Sequence, residues 1–165
     1  MKMNLFAALL ILVAPAFAPQ QPTPAAPIPA PILSAQKVFL ANGGADLGSA
    51  NAFKKAGQTN EPYNSTYAAL RAWGHWQLVS TPASADLVLV VRFSAPVNMY
   101  SKGIPLSYTP QMELTILDGK TRFLLWTLTE PVQGAFRKST WKKNFAEGIT
   151  GLITQLKSVT TPATP

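Results

Sequence analysis

The sequence contains no cysteine, one histidine and only seven acidic residues among its 165. The first absence removes a disulfide framework, thiol catalysis, thiolate metal sites and the acylated cysteine on which bacterial lipoproteins are anchored. Zinc needs three or four His, Cys or carboxylate ligands, and His75 with singly scattered acids does not supply them. No serine stands in the glycine pattern of a nucleophile elbow, so a Ser-His-acid triad has no foundation. The chain reads as a non-enzyme with no cofactor.

What is present is positive charge and apolar bulk. Fourteen Lys and Arg give a net charge of +7, which attracts anionic partners such as phospholipid headgroups, acidic glycan or nucleic acid. Apolar residues make up 47%, with four Trp and eight Phe, more than a disordered chain carries. A body of about 125 residues can bury about two-thirds of its unfolded surface and needs no staples.

The amino-terminal segment reads as an export signal. Lys2 is followed by the apolar run Leu5 to Val13 and by small residues from Ala14 to Ala18. That run falls short of the roughly 20 residues a membrane-crossing helix needs, and Pro15 interrupts it. Residues 1–18 are therefore expected to be a signal peptide, with cleavage after Ala18 or before Phe17, and the product to be periplasmic or secreted. Export disfavours nucleic acid as a partner. From Pro19 to Pro31 nearly every second or third residue is proline, so residues 19–34 are expected to be an extended, disordered spacer. Residues 35–159 form the expected domain and 160–165 an unstructured tail.

Within the domain, Lys37-Val38-Phe39-Leu40 is a short strand ended by Asn42-Gly43-Gly44. Residues 43–61 read as a surface loop, whose Gly43, Gly44 and Gly48 lack the motif spacing of a phosphate-binding loop. Asn60 caps a helix with Glu61 and Pro62 in its first turn, Tyr67 and Leu70 on one face, and Gly74 at its end. Residues 76–79 and 87–93 are further strands, the second apolar enough to lie at the sheet's centre, covered on both faces. Met112, Leu114 and Ile116 alternate with polar residues before the turn Asp118-Gly119-Lys120-Thr121 and a returning strand, Arg122 to Thr129. Asn144 and Glu147 open a last helix with Phe145, Ile149, Leu152, Ile153 and Leu156 on one face. The expected fold is α+β, a mostly antiparallel sheet with two helices in the order β-α-β-β-β-β-α.

Two stretches carry a family resemblance: Ala85-Asp86-Leu87-Val88-Leu89-Val90 and the run from Leu117-Asp118-Gly119 through Thr121 to Trp126. They resemble an uncharacterised bacterial exported envelope family, a domain of unknown function related to small envelope lipoproteins. In it an "ADL" strand precedes a hairpin bearing D-x-x-T-x-x-x-x-W and a C-terminal helix. The resemblance covers about residues 36 to 158 and implies an α+β envelope domain, with no catalytic or binding residue carried over. This sequence lacks the lipidated cysteine of the lipoprotein members.

Two surfaces are candidates for binding. Arg137, Lys138, Trp141, Lys142 and Lys143 set four cations around an aromatic ring before the last helix, suited to an anionic lipid or glycan surface. Met99, Tyr100, Ile104, Leu106 and Tyr108 make Pro96 to Pro110 an apolar, aromatic loop between two strands, suited either to contact an envelope protein or assembly component or to cover the sheet. Glu113 and Glu130 could face each other across the hairpin as a paired-carboxylate site, against the plainer reading of solvated strand residues. Asp86 and Asp118 read as acceptors for local backbone N–H groups. Asn64-Ser65-Thr66 matches a glycosylation acceptor but falls inside the first expected helix.

Overall fold

The computed structural model describes residues 26–46, 60–135 and 137–161. The expected signal segment, residues 19–25 of the proline-rich spacer, residues 47–59 of the expected loop and residues 162–165 of the expected tail lie outside the described residues. The elements are α1 (Ala30–Ser34), β1 (Lys37–Asp46), α2 (Glu61–Trp73), β2 (Gln77–Leu78), a 3-10 turn (Pro82–Ser84), β3 (Leu87–Ser94), β4 (Val97–Ser101), β5 (Ile104–Tyr108), β6 (Gln111–Asp118), β7 (Leu124–Pro131) and α3 (Lys138–Thr160).

β1, β2, β3, β6 and β7 build one sheet in the order β2-β1-β3-β6-β7, with β1 parallel to both its neighbours and the rest antiparallel. The parallel β1–β3 pair requires a crossover, which α2 supplies. This is the expected α+β order, with the short α1 added in front and β4 and β5 added between β3 and β6 as a separate two-stranded sheet.

The side chains explain a two-layer body. Leu87, Leu89, Val91 and Phe93 point to one face of β3 and are buried. Met112, Leu114 and Ile116 do the same on β6, and Val38 and Leu40 on β1. Helix α3 answers with Trp141, Phe145, Ile149, Leu152, Ile153 and Leu156, a 3.6-period stripe against that face. On the opposite face of β3, Val88 and Ser94 are buried and Val90 and Arg92 half-buried, so the central strand is covered on both sides, less completely in the middle of this one.

Several boundaries differ from the sequence reading, each for a local reason. β1 does not stop at Asn42: a bulge between Asn42 and Ala45, in which Asn42 Oδ1 accepts the Gly44 N–H at 2.9 Å, lets pairing with β3 resume at Ala45. Asn60 does not cap α2 with its side chain, whose Oδ1 instead accepts from Asn42 Nδ2 at 2.9 Å. The buried stripe of α2 is Pro62, Thr66 and Leu70, four residues apart, while Tyr67 is exposed and stacks with Tyr63. Of the glycosylation triplet inside this helix, Thr66 is buried while Asn64 is exposed. α3 starts at Lys138 rather than Asn144, because Trp141 extends the apolar stripe by a turn; Asn144 lies inside the helix and donates to Gln133 O at 2.9 Å. Finally, Ile32 in α1 is 1% exposed and belongs to the core, so the folded body begins before residue 35.

Candidate functional site

The segment between Pro96 and Pro110 folds as the β4–β5 hairpin, closed by Lys102 (φ 50°) and Gly103 (φ 78°) between the paired Ser101 and Ile104. Two successive positive φ angles match the twist of a right-handed hairpin, and glycine takes the second without strain. Met99, Tyr100, Ile104, Leu106 and Tyr108 are thus strand residues. Ile104, beside the turn, is 65% exposed, whereas Tyr108 is half-buried.

The basic cluster takes a different form from the one its spacing implied. Arg137 is the N-cap of α3, and Lys138, Lys142 and Lys143 are exposed on its first turns. Trp141 is not among them at the surface: it is 6% exposed and packs on Phe93 (centroids 5.8 Å apart) and Phe145 (6.3 Å). The ring expected between cations as a docking group is a core residue, which corrects the surface-binding set to Arg137, Lys138, Lys142 and Lys143. No acidic residue stands in that first turn, and Lys143 pairs with Glu147 at 3.7 Å. Positive side chains and the positive end of the helix dipole therefore add at one place.

The topology brings both candidates to one end of the body. β4 follows the C-terminal end of β3 by two residues, and Phe93 at that end of β3 carries the contact to Trp141 at the start of α3. Hairpin and helix start share that pole.

The carboxylate pair does not form. In the β6–β7 register Glu113 lies opposite Thr129 and Glu130 opposite Met112, so the two glutamates point to opposite faces of the sheet. Glu113 instead pairs with Arg92 at 3.6 Å, and Glu130 Oε2 accepts from Gln155 Nε2 of α3 at 2.5 Å. His75 is stacked on Trp73, centroids 4.7 Å apart and planes 12° from parallel, in an exposed position after the Gly74 helix end. Among the described residues no three His, Cys, Asp or Glu side chains gather as a metal site.

A cleft of about 330 Å³ lies at the opposite pole, lined by residues including Pro31, Ser34, Gln36, Asp86, Asp118 and Lys120. Both its carboxylates are already engaged by backbone. Asp86 Oδ2 accepts from the N–H groups of Gln36 (2.9 Å) and Lys37 (2.8 Å), and these bonds hold its pKa below the ordinary value. Asp118 Oδ1 accepts from the Thr121 N–H, the Thr121 hydroxyl and the Lys120 N–H, which lower its pKa in turn. Asp118 fixes its own turn as expected of a short acceptor. Asp86 does something sequence spacing could not show: it ties the start of β3 to the chain entering β1.

No family model matches the chain, and no curated protein matches its sequence. Solved structures do match. A DUF4136 family protein from Bacteroides thetaiotaomicron superposes with a TM-score of 0.52 at 13% identity, over 80% of this chain and 92% of that one. The fold is similar to that of a DUF4136 family protein. This agrees with the resemblance read from the "ADL" strand and the D-x-x-T-x-x-x-x-W hairpin. Lower similarity links the chain to the PelC dodecamer from Paraburkholderia phytofirmans, with a TM-score of 0.45 and 16% identity over 79% of this chain and 91% of that one. A lipoprotein from Neisseria meningitidis gives 0.43 and 10% over 74% and 99%. Among the described residues no helix is long and apolar enough to cross a membrane.

Proposed function

We propose that this chain is a non-catalytic exported envelope module that engages a protein partner through the β4–β5 hairpin. The observation that carries the reading is that, among the described strands, β4 and β5 of this hairpin pair with each other and not with the main sheet. It stands as a two-stranded sheet apart from the main one, with Ile104 exposed at its tip. An isolated two-stranded ribbon is marginally stable in water, and covering Ile104 with another protein would stabilise it. Export is supported by Lys2, the Leu5 to Val13 run and the small residues after it. The non-catalytic reading is supported by Glu113 and Glu130 lying on opposite sheet faces and by His75 resting on Trp73.

A photo-crosslinking residue placed at Ile104 in cells tests this, with the exposed Thr154 of α3 as the control position. A discrete protein adduct in the envelope fraction from position 104 and none from 154 is expected. Unprocessed protein confined to the cytosol, or the same adducts from both positions, would sink the proposal.

The second reading is an anionic lipid or glycan surface met by Arg137, Lys138, Lys142 and Lys143. It is favoured by the addition of those charges to the helix dipole without an acid in the first turn. Sedimentation with anionic vesicles that disappears at high salt and on Lys-to-Glu changes at 138 and 142 distinguishes it; the hairpin reading predicts neither.

A further inference from the structure

The two edges of the main sheet are unlike. β2 is two residues long, and so short an edge offers little backbone to pair with. β7 is eight residues long and, among the described strands, pairs only with β6. The Val132 N–H donates to Pro110 O at 2.7 Å, which fixes the phase of the antiparallel ladder. By alternation Glu130, Leu128 and Trp126 exchange bonds with β6, while Thr129 and Thr127 turn their N–H and C=O groups outward. Gln155 Nε2, bonded to Thr129 O at 3.1 Å, confirms that this carbonyl faces away from β6.

Natural edge strands are blunted by charge, proline, brevity or a covering element. From Phe123 through Thr129 β7 and its entry carry no charge and no proline. Phe123 and Leu124 at its start are 74% and 61% exposed. Gln155 caps the strand at Thr129 and Glu130 alone among the side-chain bonds described, which leaves the Thr127 edge open. The flanks are charged and of opposite sign: Lys120 and Arg122 precede the strand, and Glu130 lies near its end.

We propose that β7 is a homotypic edge: a second copy of this chain pairs antiparallel along it near Trp126 and Thr127, making two five-stranded sheets continuous. The charge pattern selects this occupant and this direction. An antiparallel self-pairing runs Lys120 and Arg122 of each copy toward Glu130 of the other, whereas a parallel one sets like beside like. Phe123 and Leu124 are covered at the two ends of the ribbon. The surface is separate from the β4–β5 hairpin, so pairing here stands or falls independently of the partner reading.

The test is sedimentation velocity of the purified chain across a concentration series, with far-UV circular dichroism to verify folding. The wild type is expected to show a concentration-dependent dimer. Thr127→Pro removes an outward N–H without touching a β6 bond and is expected to leave a folded monomer; Thr127→Lys is the substitute should proline unfold the strand. Arg122→Glu alone and Glu130→Arg alone each set like charges together and are expected to weaken the dimer about tenfold. Mixed in equal amounts, the two variants restore both opposite-charge contacts in a mixed dimer, a recovery that a purely structural role for either residue would not produce. A wild type monomeric at every concentration, or a dimer indifferent to Thr127→Lys and to the charge changes, overturns the proposal.

Discussion

Phe93 and Trp141 meet edge to face, their ring centroids 5.8 Å apart and their planes at 83°. The contact joins the end of strand β3 to the first turn of α3, and it decides what the basic cluster is. With Trp141 committed to the core, the neighbouring lysines stand on a helix whose position is fixed from below. Trp141→Ala is expected to cost about 3–5 kcal/mol in urea unfolding, as for other buried aromatics, while Lys142→Ala stays within about 0.5 kcal/mol. A double-mutant cycle with Phe93→Ala is expected to show a coupling of about 0.5–1.5 kcal/mol. Equal small effects from both single changes would place Trp141 at the surface after all.

A second expectation concerns where the folded body begins. Ile32 in α1 is buried among core residues while its neighbour Leu33 is 41% exposed. Ile32→Ala is therefore expected to lower stability by about 2–5 kcal/mol, and Leu33→Ala by much less. Chemical denaturation of the two variants side by side reads this directly, and equal midpoints would return residues 30–34 to the spacer.

The hairpin β6–β7 was legible because alternation with period two and a four-residue turn leave few other readings. The apolar stripe of α3 was legible from Phe145 onward for the same kind of reason. Four features were hidden, the first two by composition. Ile32 sits among prolines, and a single apolar residue there carries no periodicity. Trp141 sits among lysines, and its burial depends on Phe93, a residue 48 positions earlier that only the topology brings near. Glu113 and Glu130 suggested a pair because a one-residue shift in register cannot be read from the turn, yet such a shift moves a side chain to the other face. The β4–β5 hairpin was anticipated only as an apolar, aromatic loop, since Lys102-Gly103 is a weaker turn signal than Asn-Gly.

Gly119 gives a third expectation. Its N–H donates to Asp86 O at 2.8 Å, and a Cβ at this position would collide with the carbonyl oxygens of Ala85 and Asp86. Backbone on both sides cannot yield cheaply. Gly119→Ala is expected to destabilise by about 1–3 kcal/mol, the range for overpacking a fitted site, against a near-neutral Lys120→Ala. A thermal midpoint unchanged in the alanine variant would show that the two turns separate without cost.

Asp86 gives the last. One carboxylate oxygen takes the N–H groups of Gln36 and Lys37, holding the chain entering β1 against the start of β3. Those bonds favour the ionised form, so the folded-state pKa lies below the ordinary 3.8. The sign follows from proton counting: between the two pKa values the unfolded chain binds the proton and the folded one does not, so stability rises with pH there. The contribution is fully present above the unfolded value and is lost as pH falls through the folded one. Asp86→Asn keeps an acceptor but loses the charge, so it is expected to be less stable than wild type at neutral pH. The gap should close as both are acidified below 3.8, leaving the acid dependence that Asp118 retains in both. Urea midpoints measured from pH 7 down to the acid limit of folding check this, and a gap that stayed constant across the range would assign the loss to shape rather than to the charge on Asp86.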